Sequence, residues 1–252
     1  KRLRPMLMLE TYRLFGGKGK VIEPFMAAIE MIHTYSLVHD DLPAMDNDAL
    51  RRGKPTTHKA FGEAMAILAG DGLLNFAYET AALAFQMEPQ NVRVGEAFAV
   101  LAKKAGIYGM VGGQTVDVQT DKGEEITREK LDFIYRLKTS ALIEASMLVG
   151  AILAGASKEA QDIIAQVAGE IGLAFQIQDD VLDVTSTMEV LGKPIGSDEK
   201  NNKATYVTYE GLDKAKQDVE RISVTAVERL SSLPEKNKFL EQLLLSLIQR
   251  EK

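Results

Sequence analysis

Two clusters of aspartate residues are the part of this sequence whose residue types and spacing most clearly suggest chemistry. Both lie in otherwise apolar segments: they are Asp40, Asp41 and Asp46, and Asp179, Asp180 and Asp183. At ~5 Å and an effective dielectric constant of ~20, each pair of carboxylates repels by roughly 3 kcal/mol. A hard divalent cation relieves that repulsion, and Mg²⁺ takes carboxylate oxygens while leaving positions for phosphate oxygens. The sequence predicts two clusters that face each other across a magnesium site holding a phosphorylated substrate.

The second cluster has the spacing of one helix face. Positions i, i+3, i+4 and i+7 lie on the same side of a helix, which places Gln176, Asp179, Asp180 and Asp183 in one polar stripe. The apolar residues around the stripe are Leu173, Ala174, Phe175, Ile177, Val181 and Leu182. A polar stripe on a buried helix has to face a cavity, a ligand or a metal ion.

The first cluster repeats this design at the end of a helix. The helix places His33, Ser36 and Leu37 on the same face as Asp40 and Asp41. The proline at position 43 breaks the helix, and a loop then returns the third aspartate toward the first two. A solvated acidic face is the plain alternative, but two matched clusters on apolar segments make it a poor explanation.

A basic loop follows each cluster. Arg51, Arg52 and Lys54 follow the first, and Lys193 and Lys203 the second. Arginine binds phosphate oxygens in pairs, so we expect a diphosphate ligand. An EF-hand is excluded because neither cluster has Gly and Glu at loop positions 6 and 12, and the chain has no phosphate-binding glycine-rich loop after a strand.

Composition and periodicity predict one all-α domain over residues 1–252. Apolar residues make up 46% of the chain, aromatics only 6%, and no alternating strand pattern is present. We expect helices at 24–39, 60–86, 93–113, 127–155, 158–187, 211–230 and 234–250, and the helix at 60–86 to be central and buried because it is apolar all round.

The same composition limits which partners the protein is expected to bind and which cellular compartment it is expected to occupy. The chain lacks cysteine and carries a net charge of −6 without a basic stripe, which disfavours disulfides, zinc thiolates and nucleic acid. We expect no membrane span and a cytoplasmic protein. Because the sequence opens on residues 1–5 as if in mid-protein, we also expect a further N-terminal segment.

Several short motifs, in order, carry a resemblance that covers essentially the whole chain. They are residues 1–5 (KRLRP), 39–46 (HDDLPAMD), 50–56 (LRRGKPT), 112–114 (GGQ), 138–139 (KT), 175–183 (FQIQDDVLD) and 192–193 (GK). With these motifs the chain resembles the trans-isoprenyl diphosphate synthase family, and within it the bacterial farnesyl, or geranyltranstransferase, type. A single DDxxD motif is weak evidence, whereas this ordered set is specific.

The resemblance implies a prenyltransferase of isoprenoid and terpenoid biosynthesis: a homodimeric helical bundle around a deep cavity. It implies three Mg²⁺ per site, with Asp40, Asp46 and Asp179 as metal ligands and Asp41, Asp180 and Asp183 in support. Arg51, Lys138, Lys193 and Lys203 would bind the allylic diphosphate. Lys1, Arg4, His33 and Arg52 would bind isopentenyl diphosphate, and Thr139 and Gln176 would line the reacting centre.

The implied reaction is ionisation of the allylic diphosphate, attack by the double bond of isopentenyl diphosphate, and loss of a proton. Cationic groups stabilise the departing diphosphate, and an apolar cavity keeps water from the allylic cation. Tyr35 lies five residues before Asp40, about 7.5 Å along the helix, where with Ser36 it would close the floor of the cavity. The expected product is therefore C15, (2E,6E)-farnesyl diphosphate.

Other activities remain as alternatives. Geranyl or geranylgeranyl diphosphate synthases share the family, and a class I terpene cyclase shares the fold. A phosphohydrolase with a His-Asp metal site would use the pair at residues 39–40 but leaves the second cluster unexplained. A non-catalytic partner subunit of the family would be expected to lose aspartates that this chain keeps.

Overall fold

A computed structural model describes residues 2–120, 127–185 and 205–248. The predictions for Lys1, Lys193 and Lys203 lie outside these described residues. The helices are α1 (Leu3–Leu14), α2 (Ile22–Asp40), α3 (Thr57–Phe61), α4 (Glu63–Met87), α5 (Val92–Ala105), α6 (Met110–Thr120), α7 (Arg128–Ile134), α8 (Ser140–Ala154), α9 (Lys158–Thr185), α10 (Tyr206–Glu210), α11 (Leu212–Ser231) and α12 (Lys238–Ile248). The all-α fold is confirmed.

Helix α8 occupies the centre of the bundle. It is buried on nearly all sides, as expected of a helix that is apolar all round. Ile143 and Met147 pack into a core shared with α9, α11 and α12. Leu142 and Val149 belong to a second core shared with α2, α4 and α5. Two layers of helices therefore meet on α8, and the face of α2 that bears the first aspartates lies beside it.

Helix α4 differs from the prediction that it is central. Its buried positions are small residues such as Ala66, Gly70 and Ala77, which allow close packing against α2. Large apolar residues on its other side are exposed, among them Leu68 at 61% and Phe76 at 54%. The prediction failed because small residues form the packed stripe and the large ones face away from the bundle.

Two other predicted helices are interrupted. The one at 93–113 breaks between Ala105 and Met110, where Gly106 adopts an extended backbone and ends α5. The one at 127–155 contains a π-helical turn, Tyr135–Thr139, between α7 and α8. Thr127 caps α7 as predicted, accepting a hydrogen bond from the backbone N–H of Lys130.

A short β-hairpin in the first basic loop was not predicted. Leu50–Arg51 (β1) pairs antiparallel with Lys54–Pro55 (β2). The two residues between them, Arg52 and Gly53, have φ values of 54° and 75°, which is the backbone of a tight primed turn. The hairpin presents Arg51 and Arg52 next to the end of α2.

One continuous helical stretch, Arg128–Ala154, is long and apolar enough to cross a membrane by length and composition, with a mean hydropathy of 1.5. Of its most apolar window, 67% is buried inside the protein, as in the core helix of a bundle. This statement concerns residues 2–120, 127–185 and 205–248.

Candidate active site

The described helices enclose a cavity of about 520 Å³ at the end of α2 that carries the first aspartates. One part of its wall is polar and includes Arg4, His33, Asp40, Gln114, Lys138 and Thr139. The remainder is largely apolar and includes Leu37, Met45, Met110, Val111, Val118 and Leu142. A charged end joined to an apolar pocket suits an amphiphilic ligand with a compact anionic head.

Asp40 stands at the junction of these two parts. Helix α2 ends there, and the chain turns so that the backbone N–H of Asp46 donates to the Asp40 carbonyl at 2.9 Å. The Oδ1 atom of Asp40 accepts a hydrogen bond from Gln114 Nε2 at 2.9 Å. The pKa of Asp40 is raised to about 6, mainly by burial; the charge of Lys138 opposes the rise and that of Asp46 adds to it. A bound cation would relieve this strain on the charged form.

Asp41 faces away from the cavity. Its buried carboxylate accepts one bifurcated hydrogen bond from Arg51 Nε, at 2.8 Å to Oδ1 and 2.9 Å to Oδ2, and a second from Arg51 Nη2. The hydrogen bond to Asp41 is the main reason that the pKa of Arg51 is raised. The pair thus anchors the hairpin to the end of α2, and Arg51 remains one-third exposed.

Positive charge gathers around His33. Burial and, to a smaller extent, the nearby charges of Arg4, Arg52 and Arg51 together lower the pKa of His33 to about 3. Burial also lowers the pKa of Arg4 to about 10, and its Nε atom is buried without a hydrogen-bond partner. Cationic groups that disfavour one another's charge, with a buried donor unsatisfied, form a site for an anion.

The π-helical turn brings Lys138 and Thr139 to the cavity wall. Lys138 forms an ion pair with Asp117 of α6. Burial lowers the pKa of Lys138, but the charges of Asp117 and Asp40 raise it more, so the group stays protonated. Thr139 Oγ1 donates to Gln176 Oε1 at 2.7 Å, which joins α9 to the edge of the cavity.

Sequence reasoning missed two residues of this site: Gln114, which lines the cavity, and Asp117, which pairs with Lys138 in its wall. Both lie on α6, three positions apart and therefore on one helix face. They contact Asp40 and Lys138, respectively. Their signal in the sequence was the spacing of an amide and a carboxylate directly after the Gly112-Gly113 pair.

The second aspartate cluster lies on α9 as predicted. Asp180 and Asp183 are buried, whereas Gln176 and Asp179 are half-buried. Among residues 2–120, 127–185 and 205–248, no three His, Cys, Asp or Glu side chains converge as they would on a protein-only metal site. Any ion here would take further oxygens from a ligand or water, as Mg²⁺ commonly does.

Tyr35 lines the cavity and is 6% exposed. Its ring stands edge-on to that of His39, with centroids 5.7 Å apart. The Nε2 atom of His39 lies 3.1 Å from the backbone oxygen of Ile67, and this hydrogen bond holds the imidazole against α4. His39 and Ser36 line the same cavity, and the role of Tyr35 and Ser36 as its floor stays a prediction.

The comparisons agree with this geometry. A family profile described as polyprenyl synthetase matches residues 1–243, and the chain belongs to that family. It is 49% identical over 218 residues to a farnesyl diphosphate synthase of Geobacillus stearothermophilus, covering 86% of this chain and 73% of the relative. It is 47% identical over 237 residues to a chloroplastic geranylgeranyl pyrophosphate synthase of Catharanthus roseus, covering 94% of this chain and 66% of that protein.

Solved structures show the same fold. A geranyltransferase from Legionella pneumophila superposes with a TM-score of 0.86 at 35% identity, covering 100% of this chain and 82% of the other. A geranyltransferase from Helicobacter pylori, complexed with magnesium and isoprenyl diphosphate, gives 0.85 at 32% identity, covering 98% and 82%. The protein is thus a prenyltransferase of isoprenoid biosynthesis, which rules out the phosphohydrolase alternative.

Proposed function

We propose that this prenyltransferase condenses isopentenyl diphosphate with dimethylallyl and then geranyl diphosphate, head to tail, to give (2E,6E)-farnesyl diphosphate and diphosphate. The observation that carries the proposal is a cavity with a cationic and carboxylate end, an apolar body and an aromatic wall at Tyr35. Its relatives include both farnesyl and geranylgeranyl synthases, so a geranylgeranyl or geranyl product is the alternative.

Mg²⁺ is the proposed cofactor, with three ions in the loaded site. Asp40, Asp46 and Asp179 would hold them, since carboxylate oxygens suit this hard cation and the raised pKa of Asp40 shows a charged form in need of positive charge. The bound ions would neutralise the diphosphate and favour its departure.

The chain's own residues then divide the work between two diphosphates. Lys138 and Arg51, with Lys193 and Lys203 from beyond the described residues, would bind the allylic diphosphate. The cationic Arg4 and Arg52 and the neutral His33, together with Lys1, would bind isopentenyl diphosphate and hold its double bond near the allylic carbon. A neutral His33 can donate a hydrogen bond without adding charge.

The apolar wall protects the allylic cation. Leu37, Met110 and Leu142 line the cavity beyond the charged end and exclude water. Attack by the double bond forms the new carbon–carbon bond, and the released diphosphate takes the proton that is lost. No side chain has to act as nucleophile or general base, and Thr139 and Gln176 lie beside the reacting carbons.

The test is an incubation with dimethylallyl and isopentenyl diphosphates, with and without Mg²⁺, followed by sizing of the products. A C15 product that requires Mg²⁺ supports the proposal, whereas a C20 product would favour the alternative. The chain-length role is tested by Tyr35→Ala: we expect products longer than C15, and an unchanged product would contradict the role of Tyr35.

The same proposal includes the assembly and location of the protein. We propose a single catalytic domain that acts in the cytoplasm as a homodimer. The exposed apolar face of α4 supports the dimer, because contiguous exposed apolar surface marks contact sites.

A further inference from the structure

Asp180 differs from the other aspartates in the contacts of its carboxylate. The side chain is 4% exposed, and its Oδ2 atom accepts hydrogen bonds from the hydroxyl of Tyr135 and from the backbone N–H of Tyr206, the latter at 2.8 Å. Its Oδ1 atom lies 3.5 Å from Gln176 Nε2. One carboxylate therefore joins α9, the π-helical turn and α10.

These contacts form a closed ring with the π-helical turn. Tyr135 begins that turn and Thr139 ends it. Thr139 Oγ1 donates to Gln176 Oε1 at 2.7 Å, and Gln176 in turn faces Asp180. The ring holds both ends of the turn against α9. Because π-helical turns are rare and persist only where their surroundings impose them, this ring is a physical cause of the turn.

The ring also orients the groups that face the cavity. With its Nε2 atom toward Asp180, Gln176 has to present its Oε1 atom to Thr139. Lys138 lies inside the turn and reaches the cavity wall next to Thr139. If the turn relaxed to an ordinary α-helix, each of its side chains would rotate around the helix axis relative to the residues before the turn.

We propose that Asp180 is a positioning residue rather than a metal ligand. It fixes the π-helical turn and the Gln176 amide, and through them the direction of Lys138 and Thr139. The inference rests on the proposed roles of these two residues, and it assigns Asp179 and Asp180, adjacent in the sequence, to different tasks.

Tyr135→Phe is the most direct test, because it removes one hydroxyl from the ring and touches no proposed ligand of metal or substrate. The matched control is Tyr206→Phe, which removes another buried hydroxyl, the one that donates to Asp218 at 2.9 Å, and leaves the backbone N–H that binds Asp180. We expect about a tenfold loss of kcat for Tyr135→Phe, with KM values within about twofold, and less than about a twofold loss of kcat for Tyr206→Phe.

Metal binding gives a second readout that does not depend on turnover. Mn²⁺ is titrated by electron paramagnetic resonance with inorganic diphosphate present, in Asp180→Asn and Asp179→Asn. We expect Asp180→Asn to keep the wild-type Mn²⁺ affinity within about twofold and Asp179→Asn to lose about tenfold. Adding Tyr135→Phe to Asp180→Asn should lower kcat by less than it does alone, because both substitutions break the same ring.

Several outcomes would overturn the proposal. These are wild-type kcat in Tyr135→Phe, equal losses in Tyr135→Phe and Tyr206→Phe, or a Mn²⁺ affinity in Asp180→Asn as low as that in Asp179→Asn. If Asp180→Asn does not fold, the comparison of the two Tyr→Phe variants decides alone. A wild-type protein that does not condense the two diphosphates would contradict the proposed function instead, and the Mn²⁺ comparison would still test Asp180.

Discussion

Asp40 is buried and has negatively charged neighbours. Without a bound cation, its charged carboxylate therefore lowers the stability of the folded protein. An acid whose pKa is raised from 3.8 to about 6 disfavours folding when it is charged. The effect is absent below about pH 4, grows between the two pKa values and is complete above about pH 6.

We therefore expect Asp40→Asn to stabilise the metal-free protein while abolishing condensation. The gain in the free energy of unfolding should be on the order of 2 kcal/mol at pH 7.5 and close to zero at pH 4. The asparagine Oδ1 atom can still accept the hydrogen bond from Gln114. Urea unfolding in the presence of a chelator measures this, and a variant less stable than wild type at pH 7.5 would show that Asp40 is not strained.

His33 has the opposite dependence on pH. Its pKa falls from 6.5 to about 3 on folding, so the unfolded chain binds the proton first as the pH decreases. The stability that His33 contributes is present above about pH 6.5 and is lost progressively toward pH 3.

His33→Gln should remove that part of the pH dependence. Between pH 7.5 and pH 5.5 the wild type should lose about 1 kcal/mol more stability than the variant. The difference between the two pH profiles of stability reports on His33 alone, because the opposing contribution of Asp40 is present in both proteins and cancels. Identical pH profiles from chemical denaturation would contradict the assigned environment. Added inorganic diphosphate should stabilise the wild type more than the variant, since the imidazole of His33 is one of the proposed hydrogen-bond donors to the anion.

At the scale of elements, the π-helical turn depends on glycines in the neighbouring helices. A Cβ atom on Gly113 of α6 would overlap the backbone of Leu137 and Lys138, and one on Gly172 of α9 would overlap Ser140. Ser140 Oγ also donates to the Tyr135 carbonyl at 3.0 Å, in addition to the hydrogen bond that this carbonyl accepts from the backbone N–H of Ser140. The helices approach the turn closely enough to leave no room for a side chain.

Gly113→Ala should therefore destabilise the protein by about 2 kcal/mol and lower kcat, because the clash is with backbone atoms of the turn that carries Lys138. Gly95→Ala is the matched control: Gly95 lies within α5, and the nearest atom to its Cβ position is a ring carbon of Phe85 at 4.0 Å, so alanine should stabilise by about 0.5–1 kcal/mol. Thermal unfolding and steady-state kinetics measure both effects. Two variants of equal stability would show that α6 can move away from the turn.

The sequence predicts those features of the fold and the site that neighbouring residues determine, and it misses those that depend on contacts between distant elements. The helical register of residues 176–183 and the break after Asp40 follow from spacing and from Pro43, and both were predicted correctly. The π-helical turn was missed because Lys138 and Thr139 look like ordinary helix, and the extra residue is imposed by Asp180 across the bundle. The pairing of Asp41 with Arg51 was missed for the same reason, since the hairpin turn sets it.

At the scale of the whole molecule, the two faces of α4 explain how one helix serves both the core and the surface. Small residues pack against α2, and a stripe of large apolar residues at helical spacing runs along a different, exposed side: Met65, Leu68, Phe76, Leu83 and Met87, each at least 44% exposed. The stripe is roughly 33 Å long, too extended to be a scatter of single exposed residues. Because the spacing of three and four residues is that of helix–helix packing, a second copy of the same helix would complement it.

We expect Leu68→Glu and Phe76→Glu to convert the proposed dimer to monomers, since each introduces a charge into surface that would be buried on association. Val224→Glu is the matched control, because Val224 is 50% exposed on α11, outside the stripe. Sedimentation velocity at two protein concentrations measures the change. A monomeric wild type would contradict the dimer, and dissociation by Val224→Glu alone would move the interface to α11. Helix α4 also packs against α2 and contacts His39 of the cavity wall. We therefore expect the monomeric variants to remain folded but to have lower condensation activity than the wild type.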